Sequence, residues 1–232
     1  MQTNHNPAQS WGIISYRDRK MVGLIKTPTQ KEIERINRIQ RDHFNRLYHL
    51  FDPPLPEGVP ERLEKIVTAA GIETGDSVLD VGTGTGILIP IIRQYKPGCI
   101  YACDLSEAML RRLKENYPGV KTIQKDVREL ALPDEILDVV FINACYPNIA
   151  DKAGALKNIS RMLKPAGRMI ISHPLGKAFI ETLRQGSPYP LDDFPSKSES
   201  NKLLEPYDFA VKEFIDQPEL YILSAVKRRY RP

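Results

Sequence analysis

The sequence predicts an α/β fold built on a doubly wound, mostly parallel, seven-stranded sheet. From residue 77 onward, short apolar strands alternate with amphipathic helices. One of these strands, residues 137–144 (LDVVFINA), is nearly continuous in its apolar character, which is typical of a parallel strand buried on both faces. The last two strands are joined by only residues 216–219, a connection too short for a crossover, so they are predicted to form an antiparallel hairpin.

Each predicted element follows from local patterning. The strands are expected at residues 77–81, 99–104, 120–125, 137–144, 167–173, 207–215 and 220–227. The helices between them are expected at residues 86–95, 106–116, 151–163 and 177–185, with Ser106 as a helix cap. Residues 186–200 are rich in proline and serine and are predicted to form a surface loop.

The N-terminal quarter differs from the rest of the chain. Residues 1–28 are mixed and polar and are predicted to form a loose arm, whereas residues 29–50 have apolar side chains at helical spacing. Pro53 and Pro54 end that helix. We therefore divide the chain into an N-terminal arm and helix (1–58), expected to cover a functional site, and an α/β domain (59–232). Tyr48, Phe51 and Asp52 are candidates to touch a ligand; a helix that only packs is equally compatible with the pattern.

Composition and charge argue against several classes of protein. A net charge of +4 is too small by itself to indicate a nucleic-acid-binding protein. The three cysteines form no CxxC motif, so we predict no metal site and no disulfide framework, and a reducing cytoplasm fits best. No apolar run reaches the ~18 residues of a membrane span. A homodimer is left open.

The most specific motif is VLDVGTGTG at residues 78–86, where an apolar strand runs into three alternating glycines. Glycine allows a tight turn and close approach of a ligand to the backbone. The helix expected directly after it would present N–H groups to a carboxylate or phosphate. The motif therefore predicts a nucleotide-like or anionic ligand.

The residue types narrow the choice of ligand. The third glycine of a dinucleotide fingerprint is replaced by Ile87, and no phosphate-binding Gly-Lys-Ser/Thr run is present. Asp80 would repel a pyrophosphate but would bind an ammonium group. S-adenosylmethionine (AdoMet) has an amino group and a carboxylate but no phosphate, so it fits the loop better than NAD does.

Two further acids follow the next two strands. Asp104 ends the second strand, where a carboxylate accepts hydrogen bonds from ribose hydroxyls. Asp126 follows the third strand and is a candidate acceptor for an adenine amino group, although a surface acid explains it nearly as well. Three such acids at three successive strand ends are much less expected by chance than any one of them.

These motifs resemble the class I AdoMet-dependent methyltransferase superfamily over residues 60–230. The resemblance rests on VLDVGTGTG, YACDLSEAML (101–110), KDVREL (125–130), LDVVFINA (137–144) and MLKPAGRMIIS (162–172). It implies a Rossmann-like fold, AdoMet as cofactor and a small-molecule methyl acceptor.

The resemblance also implies roles for individual residues. Gly82, Thr83, Gly84 and Gly86 would cradle the methionine portion, with Asp80 near its amino group. Asp104 would bind the ribose. Leu105 and Met109 would pack on adenine, Asp126 and Val127 would contact its edge, and Asn143 and Ala144 would line the methyl-transfer face.

Two residues are candidate catalytic groups. His173, at the end of the fifth strand, is the candidate general base, and Tyr146 is a candidate to orient the substrate. A histidine that merely bonds to the following loop is the alternative for His173. Residues 143–148 read Asn-Ala-Cys-Tyr-Pro-Asn and lack the Asn/Asp-Pro-Pro-aromatic run of amino-methylating subgroups, which counts against methylation of DNA bases or glutamine.

Other functions remain open at this level. An RNA or protein methyltransferase would use the basic N-terminal helix as its binding surface. A non-catalytic AdoMet-binding partner subunit is a second alternative. A nucleotide-dependent oxidoreductase is disfavoured by Ile87 and Asp80. The excess of Lys and Arg near the N-terminus is a weak indication of an acidic small molecule.

Overall fold

The protein forms a seven-stranded sheet in a computed structural model that describes residues 28–229. The strands are β1 (Ser77–Val81), β2 (Cys99–Asp104), β3 (Lys121–Gln124), β4 (Leu137–Asn143), β5 (Leu163–His173), β6 (Phe209–Gln217) and β7 (Leu220–Lys227). Their order is β3-β2-β1-β4-β5-β7-β6. β1 to β5 are parallel, and β7 is antiparallel to both β5 and β6. The predicted fold class is confirmed, and the predicted arm over residues 1–27 lies outside the described residues.

Helices cover both faces of the sheet and one edge. They are α1 (Gln30–Leu47), α2 (Val59–Thr68), α3 (Ile89–Gln94), α4 (Glu107–Asn116), α5 (Lys152–Met162), α6 (Ala178–Gly186) and α7 (Lys197–Leu204). α1 begins at a capping box in which Thr29 and Glu32 satisfy each other's backbone N–H groups, and Asp151 caps α5. Short 3₁₀ turns follow at Tyr48–Phe51, Val127–Glu129, Tyr146–Asn148 and Glu205–Tyr207.

Alternating strand residues divide the core into two clusters. In β4, Val140 and Ile142 face a cluster that also contains apolar residues of α5, α6 and α7. Val139 and Phe141 face the opposite cluster, which contains apolar residues of α2, α3 and α4. Because successive side chains of a strand point to opposite faces, the central strands must be apolar on both sides.

The helix after the glycine loop begins later than predicted. The sequence places its start at residue 86, but α3 begins at Ile89. Gly84 and Gly86 have φ values of +56° and +90°, which are incompatible with a right-handed helix. The loop is therefore longer than expected, and the helix is only six residues long.

The predicted surface loop at residues 186–200 is wrong in two respects. α7 begins at Lys197, capped by Ser196, and Leu191 and Phe194 are buried. Phe194 packs on the ring of Tyr221 with centroids 4.6 Å apart, so the segment contributes to the core. The proline and serine content correctly predicted that the segment before Ser196 has no regular secondary structure. Composition does not show, however, that the side chains of Leu191 and Phe194 are buried in the core.

Within residues 28–229, the structure contains no helix with the length and apolar character needed to cross a membrane.

Candidate ligand cavity at the carboxyl edge of the sheet

A cavity opens where the chain reverses its direction across the sheet. From β1 the chain proceeds outward to β2 and β3, then returns to β4 on the other side of β1. Crevices at such switch points, outside the carboxyl ends of parallel strands, are where ligands bind in open α/β sheets. The predicted site residues that line this carboxyl-edge cavity are Asp80, Gly82, Thr83, Gly84, Asp104, Leu105, Met109, Asp126, Val127, Asn143 and Ala144.

The three glycines of the loop have different structural roles. Gly82 has a φ of +65°, and a Cβ atom built on it would lie 2.2 Å from the Sγ atom of Cys145. Gly84 borders the cavity, and its N–H donates to Asp104. Gly86 is not part of the cavity lining, and a Cβ there would meet side chains of Ile89 and Leu113 at 3.1 Å. The structure thus brings two of the three glycines to the cavity and packs the third against helices.

Asp80 is a buried carboxyl at the end of β1, only 2% exposed. Its Oδ2 atom accepts a hydrogen bond of 2.8 Å from the hydroxyl of Thr83. Burial raises the pKa of Asp80 to about 7, and the nearby charge of Asp104 adds to that shift, whereas the Thr83 bond opposes it. A cationic group in the cavity would therefore stabilise the ionised carboxylate.

Asp104 joins the glycine loop to the start of α4. Its two carboxylate oxygens accept hydrogen bonds from the N–H groups of Gly84 (3.0 Å) and Ser106 (2.8 Å). Burial raises the pKa of Asp104, while these backbone bonds oppose the shift. Ser106 caps α4 as predicted, since its hydroxyl accepts from the N–H of Met109. Asp104 is thus held at the rim of the cavity and is not needed as the helix cap.

Asp126 is fixed by three donors. Its carboxylate accepts from the backbone N–H and the Nε atom of Arg128, both at 2.9 Å. The Nδ2 atom of Asn37 donates to the same carboxylate over 2.6 Å. Asn37 belongs to α1, so an N-terminal side chain reaches the residue predicted to contact adenine.

α1 and the turn after it form one wall of the cavity through Asn37, Gln40, Phe44 and Phe51. Of these four residues, only Phe51 is predicted from the sequence to touch a ligand. One face of the helix carries three of them, because Asn37, Gln40 and Phe44 are spaced by three and four residues. The spacing alone does not show which part of the protein that face contacts.

Further contacts fix this wall to the α/β domain. The Oδ1 atom of Asn45 accepts from the hydroxyl of Ser106 at 2.7 Å, and Asp52 forms an ion pair with Arg112 at 2.9 Å. The five Lys and Arg residues of α1 are all exposed: Lys31, Arg35, Arg38, Arg41 and Arg46. They do not line the cavity, so they give no support to an acidic ligand there.

His173 and Tyr146, the predicted catalytic residues, are not among the residues that line the cavity. Each is about 4% exposed, and each packs on Phe194, with ring centroids 5.9 Å and 5.8 Å away. The Nδ1 atom of His173 accepts from the N–H of Leu175, and burial lowers the pKa of His173 to about 4. The imidazole is therefore neutral at pH 7, but it lies in an aromatic cluster with Phe179 and Phe194. Their catalytic roles stay predictions.

The thiols near the cavity are protonated. Cys145 lines the cavity beside Gly82, and burial raises the pKa of its thiol well above the ordinary range. Burial likewise raises the pKa of Cys103, whose Sγ atom donates to the carbonyl of Lys125. Neither environment favours a thiolate nucleophile. Over the described part of the chain, no group of three or more His, Cys, Asp or Glu side chains is placed to hold a metal ion.

The segment that forms most of this site is similar in sequence to known proteins. Residues 79–171, which span the glycine loop and all three acids, match a family model described as a methyltransferase domain. A ubiquinone/menaquinone biosynthesis C-methyltransferase, UbiE, from Vibrio campbellii is 34% identical over 127 residues, covering 50% of this chain and 49% of that protein. UbiE from Escherichia coli O1:K1 is 30% identical over 128 residues, covering 49% and 51% respectively.

The chain resembles a methyltransferase domain over residues 79–171, which make up less than half of its length. It spans about half the length of the curated relatives that it matches. The matched residues 79–171 contain β2 to β4 and most of β1 and β5, and they supply most of the residues that line the carboxyl-edge cavity.

Solved methyltransferase structures share the fold at low sequence identity. An AdoMet-dependent methyltransferase from Aquifex aeolicus superposes with a TM-score of 0.63 at 22% identity, covering 79% of this chain and 98% of that one. Magnesium protoporphyrin IX methyltransferase from Synechocystis, with bound S-adenosylhomocysteine (SAH), gives 0.63 at 19% identity, covering 83% and 99%. These likenesses show the class I methyltransferase architecture.

Proposed function

We propose that this protein is an AdoMet-dependent methyltransferase that acts on a small molecule. The observation that carries the proposal is the arrangement of Asp80, Asp104 and Asp126 around one cavity, at the ends of three successive parallel strands. The methyltransferase-domain match supports it, since it covers all three acids. The relatives' names, which refer to quinone and porphyrin compounds, support a small-molecule acceptor.

The residues that line the cavity fit such a cofactor. Asp80 would hold the amino group, and the buried carboxyl needs a cation to ionise fully at neutral pH. Asp104 keeps lone pairs for ribose hydroxyls beside the two backbone bonds it accepts. Leu105, Met109 and Val127 would enclose the adenine ring, with Asp126 at its edge. The remaining proposed cofactor contacts are Gly82, Thr83, Gly84, Asn143 and Ala144, with Gly86 supporting the loop from behind.

AdoMet, when bound, supplies a methyl group on a positively charged sulfur that is already activated toward nucleophiles. The chain then has to hold the acceptor in line with that methyl group and to exclude water. Positioning of this kind contributes about 7–11 kcal/mol to catalysis. α1 forms one wall of the cavity and would perform part of that enclosure. A base role for His173 and an orienting role for Tyr146 would require a path from the cavity to their buried rings.

Asp104→Ala should lose most of the affinity for AdoMet and SAH. Hydrogen bonds to a charged group contribute about 1.5–3 kcal/mol each, so two lost ribose contacts correspond to about a hundredfold weaker binding or more. Calorimetric titration measures this, with NADH as a ligand that should not bind. Asp134→Ala, an exposed acid paired with Arg161, is the matched control and should bind normally. Wild-type protein that binds neither AdoMet nor SAH would refute the cofactor proposal.

AdoMet affinity should rise with pH below neutrality. The pKa of Asp80 is raised to about 7, so at lower pH a proton must leave before the carboxylate can pair with the ammonium group. Affinity should therefore increase about fifteenfold between about pH 5.5 and pH 7, with proton release on binding. Asp80→Asn should have weaker and nearly pH-independent affinity over that range. A flat profile in the wild-type protein would contradict this.

The stability of the ligand-free protein should show the opposite slope from the same group. The folded protein retains the Asp80 proton up to about pH 7, whereas the unfolded chain releases it near pH 4. Folding stability contributed by Asp80 therefore falls as the pH rises through that window. Urea unfolding of the wild-type protein and of Asp80→Asn at pH 5 and pH 7 measures the difference.

The alternatives predict different behaviour. An RNA or protein methyltransferase would use the exposed basic residues of α1, and it would bind heparin with a steep dependence on salt. A non-catalytic AdoMet-binding subunit would bind the cofactor but would methylate no acceptor in a screen. We propose a cytoplasmic location because all three cysteines are free thiols. A homodimer stays a prediction for sedimentation to test.

A further inference from the structure

Part of the lining of the carboxyl-edge cavity consists of neutral polar and apolar groups. We call it the acceptor end and define it by Gln40, Phe44, Asn143, Asn148 and Ile149. α1 supplies the first two residues, and the end of β4 and the turn after it supply the other three. Gln40 and Asn148 are joined directly, because the Nε2 atom of Gln40 donates to the carbonyl of Asn148 over 2.6 Å.

Two buried carboxamides at this end have unused hydrogen-bonding capacity. Gln40 is 4% exposed and Asn143 is 5% exposed. The Oδ1 atom of Asn143 accepts from the hydroxyl of Ser172 at 3.0 Å, and its Nδ2 atom has no partner among residues 28–229. Within the same described range, the Oε1 atom of Gln40 also has no donor. Neither atom is among the fully buried atoms that lack a partner, so both are accessible from the cavity, and a free acceptor and a free donor there indicate a ligand that offers the complementary pair.

The charges around the cavity argue against an ionised acceptor. Asp80, Asp104 and Asp126 would repel an anion, and the exposed basic residues of α1 do not line the cavity. Among the lining residues that the structure describes, Lys125 is the only cation, and it adjoins Asp126 rather than the acceptor end. A cationic acceptor would in turn be repelled by the sulfonium of the proposed cofactor.

We propose that the methyl acceptor is an uncharged molecule with an apolar body and a group that both donates and accepts a hydrogen bond, such as a hydroxyl or an amide. That group donates to the Oε1 atom of Gln40 and accepts from the Nδ2 atom of Asn143. Its apolar body lies against Phe44 and Ile149. This inference rests on the proposed function, because it concerns the acceptor of the same reaction.

The test compares three ligands of nearly equal size and different charge: naphthylmethanol, naphthoate and naphthylmethylammonium. Binding is measured by ligand-observed NMR on the full chain with saturating AdoMet, because the sulfonium that should repel a cationic acceptor is absent from SAH. Naphthylmethanol should bind, and both ions should bind about tenfold more weakly or not at all, since each leaves one buried carboxamide unpaired. Tighter binding of naphthoate would overturn the proposal, as would equal binding of all three ligands.

The Asn143→Asp variant tests whether the Nδ2 atom of Asn143 donates the proposed hydrogen bond to the ligand. The substitution conserves the size of the side chain and the oxygen that accepts from Ser172, but it removes the donor and adds a negative charge. Affinity for naphthylmethanol should fall about tenfold, and the preference should shift toward naphthylmethylammonium. Asn201→Asp makes the same change at an exposed position of α7 and should leave the preference unaltered. An unaltered preference in Asn143→Asp would overturn the assignment of Asn143.

The two proposals fail differently. If neither AdoMet nor SAH binds to the wild-type protein, the proposed cofactor is wrong, and the neutral-acceptor proposal, which rests on it, fails with it. If SAH binds and naphthoate is preferred, the cofactor proposal stands and the neutral-acceptor proposal is wrong. Circular dichroism and urea unfolding of Asn143→Asp, compared with the wild-type protein, show whether the variant is still folded.

Discussion

Gly82→Ala is expected to destabilise the protein and to abolish AdoMet binding. A side chain at φ +65° costs about 1–2 kcal/mol. The new Cβ atom would also lie 2.2 Å from Sγ and 2.6 Å from Cβ of Cys145, a clash that costs about 1–3 kcal/mol to relieve. Because the clash is relieved by movement of the glycine loop or of the segment after β4, and both line the cavity, the shape of the cavity changes in either case. Denaturant unfolding and calorimetric titration measure the two effects.

Two further variants separate the cost of the backbone conformation at residue 82 from the cost of the clash with Cys145. Cys145→Gly removes both clashing atoms and leaves its Cα atom 4.0 Å from the new Cβ, so the double variant with Gly82→Ala should retain only the backbone cost. Gly186→Ala is the matched control, since a Cβ there meets nothing within 4 Å. If Gly82→Ala were as stable as Gly186→Ala and bound AdoMet normally, the close packing of the glycine loop on Cys145 would be wrong.

Phe194→Ala is expected to cause a large loss of stability. The ring is 4% exposed and packs on Tyr221, Tyr146 and His173. Truncation of a buried phenylalanine costs about 3–5 kcal/mol, because the transfer energy is lost and a cavity remains. Urea unfolding measures the change. Leu183→Ala, at a side chain of α6 that is 42% exposed, should cost less than about 0.5 kcal/mol.

Phe194→Ala should also change the pKa of His173. Burial lowers the pKa of His173 to about 4, so the folded wild-type protein loses stability as the pH falls from about 6.5 toward 4, where the unfolded chain binds a proton first. Removal of Phe194 should admit water and raise the pKa of His173 toward its ordinary value, which NMR titration would detect. An equal loss of stability in Leu183→Ala, or an unchanged His173 pKa, would contradict the aromatic cluster described above.

The sequence by itself determined the sheet, its antiparallel end and the positions of the three acids. The nearly continuous apolar run of β4 is a local pattern, and burial on both faces follows from it. Asp80, Asp104 and Asp126 come at strand ends, and carboxyl ends of parallel strands meet at one edge. Neighbouring residues along the chain were therefore sufficient to place these groups near one another.

Only the tertiary structure decided which distant segments complete the cavity. Asn37 and Gln40 gain their roles from contacts with Asp126 and with Asn148, 89 and 108 residues away. Phe194 is buried because a segment without regular structure folds back onto β7, and that packing places the His173 ring in an aromatic cluster. Such contacts depend on shape and burial across the whole fold, and no short-range periodicity encodes them.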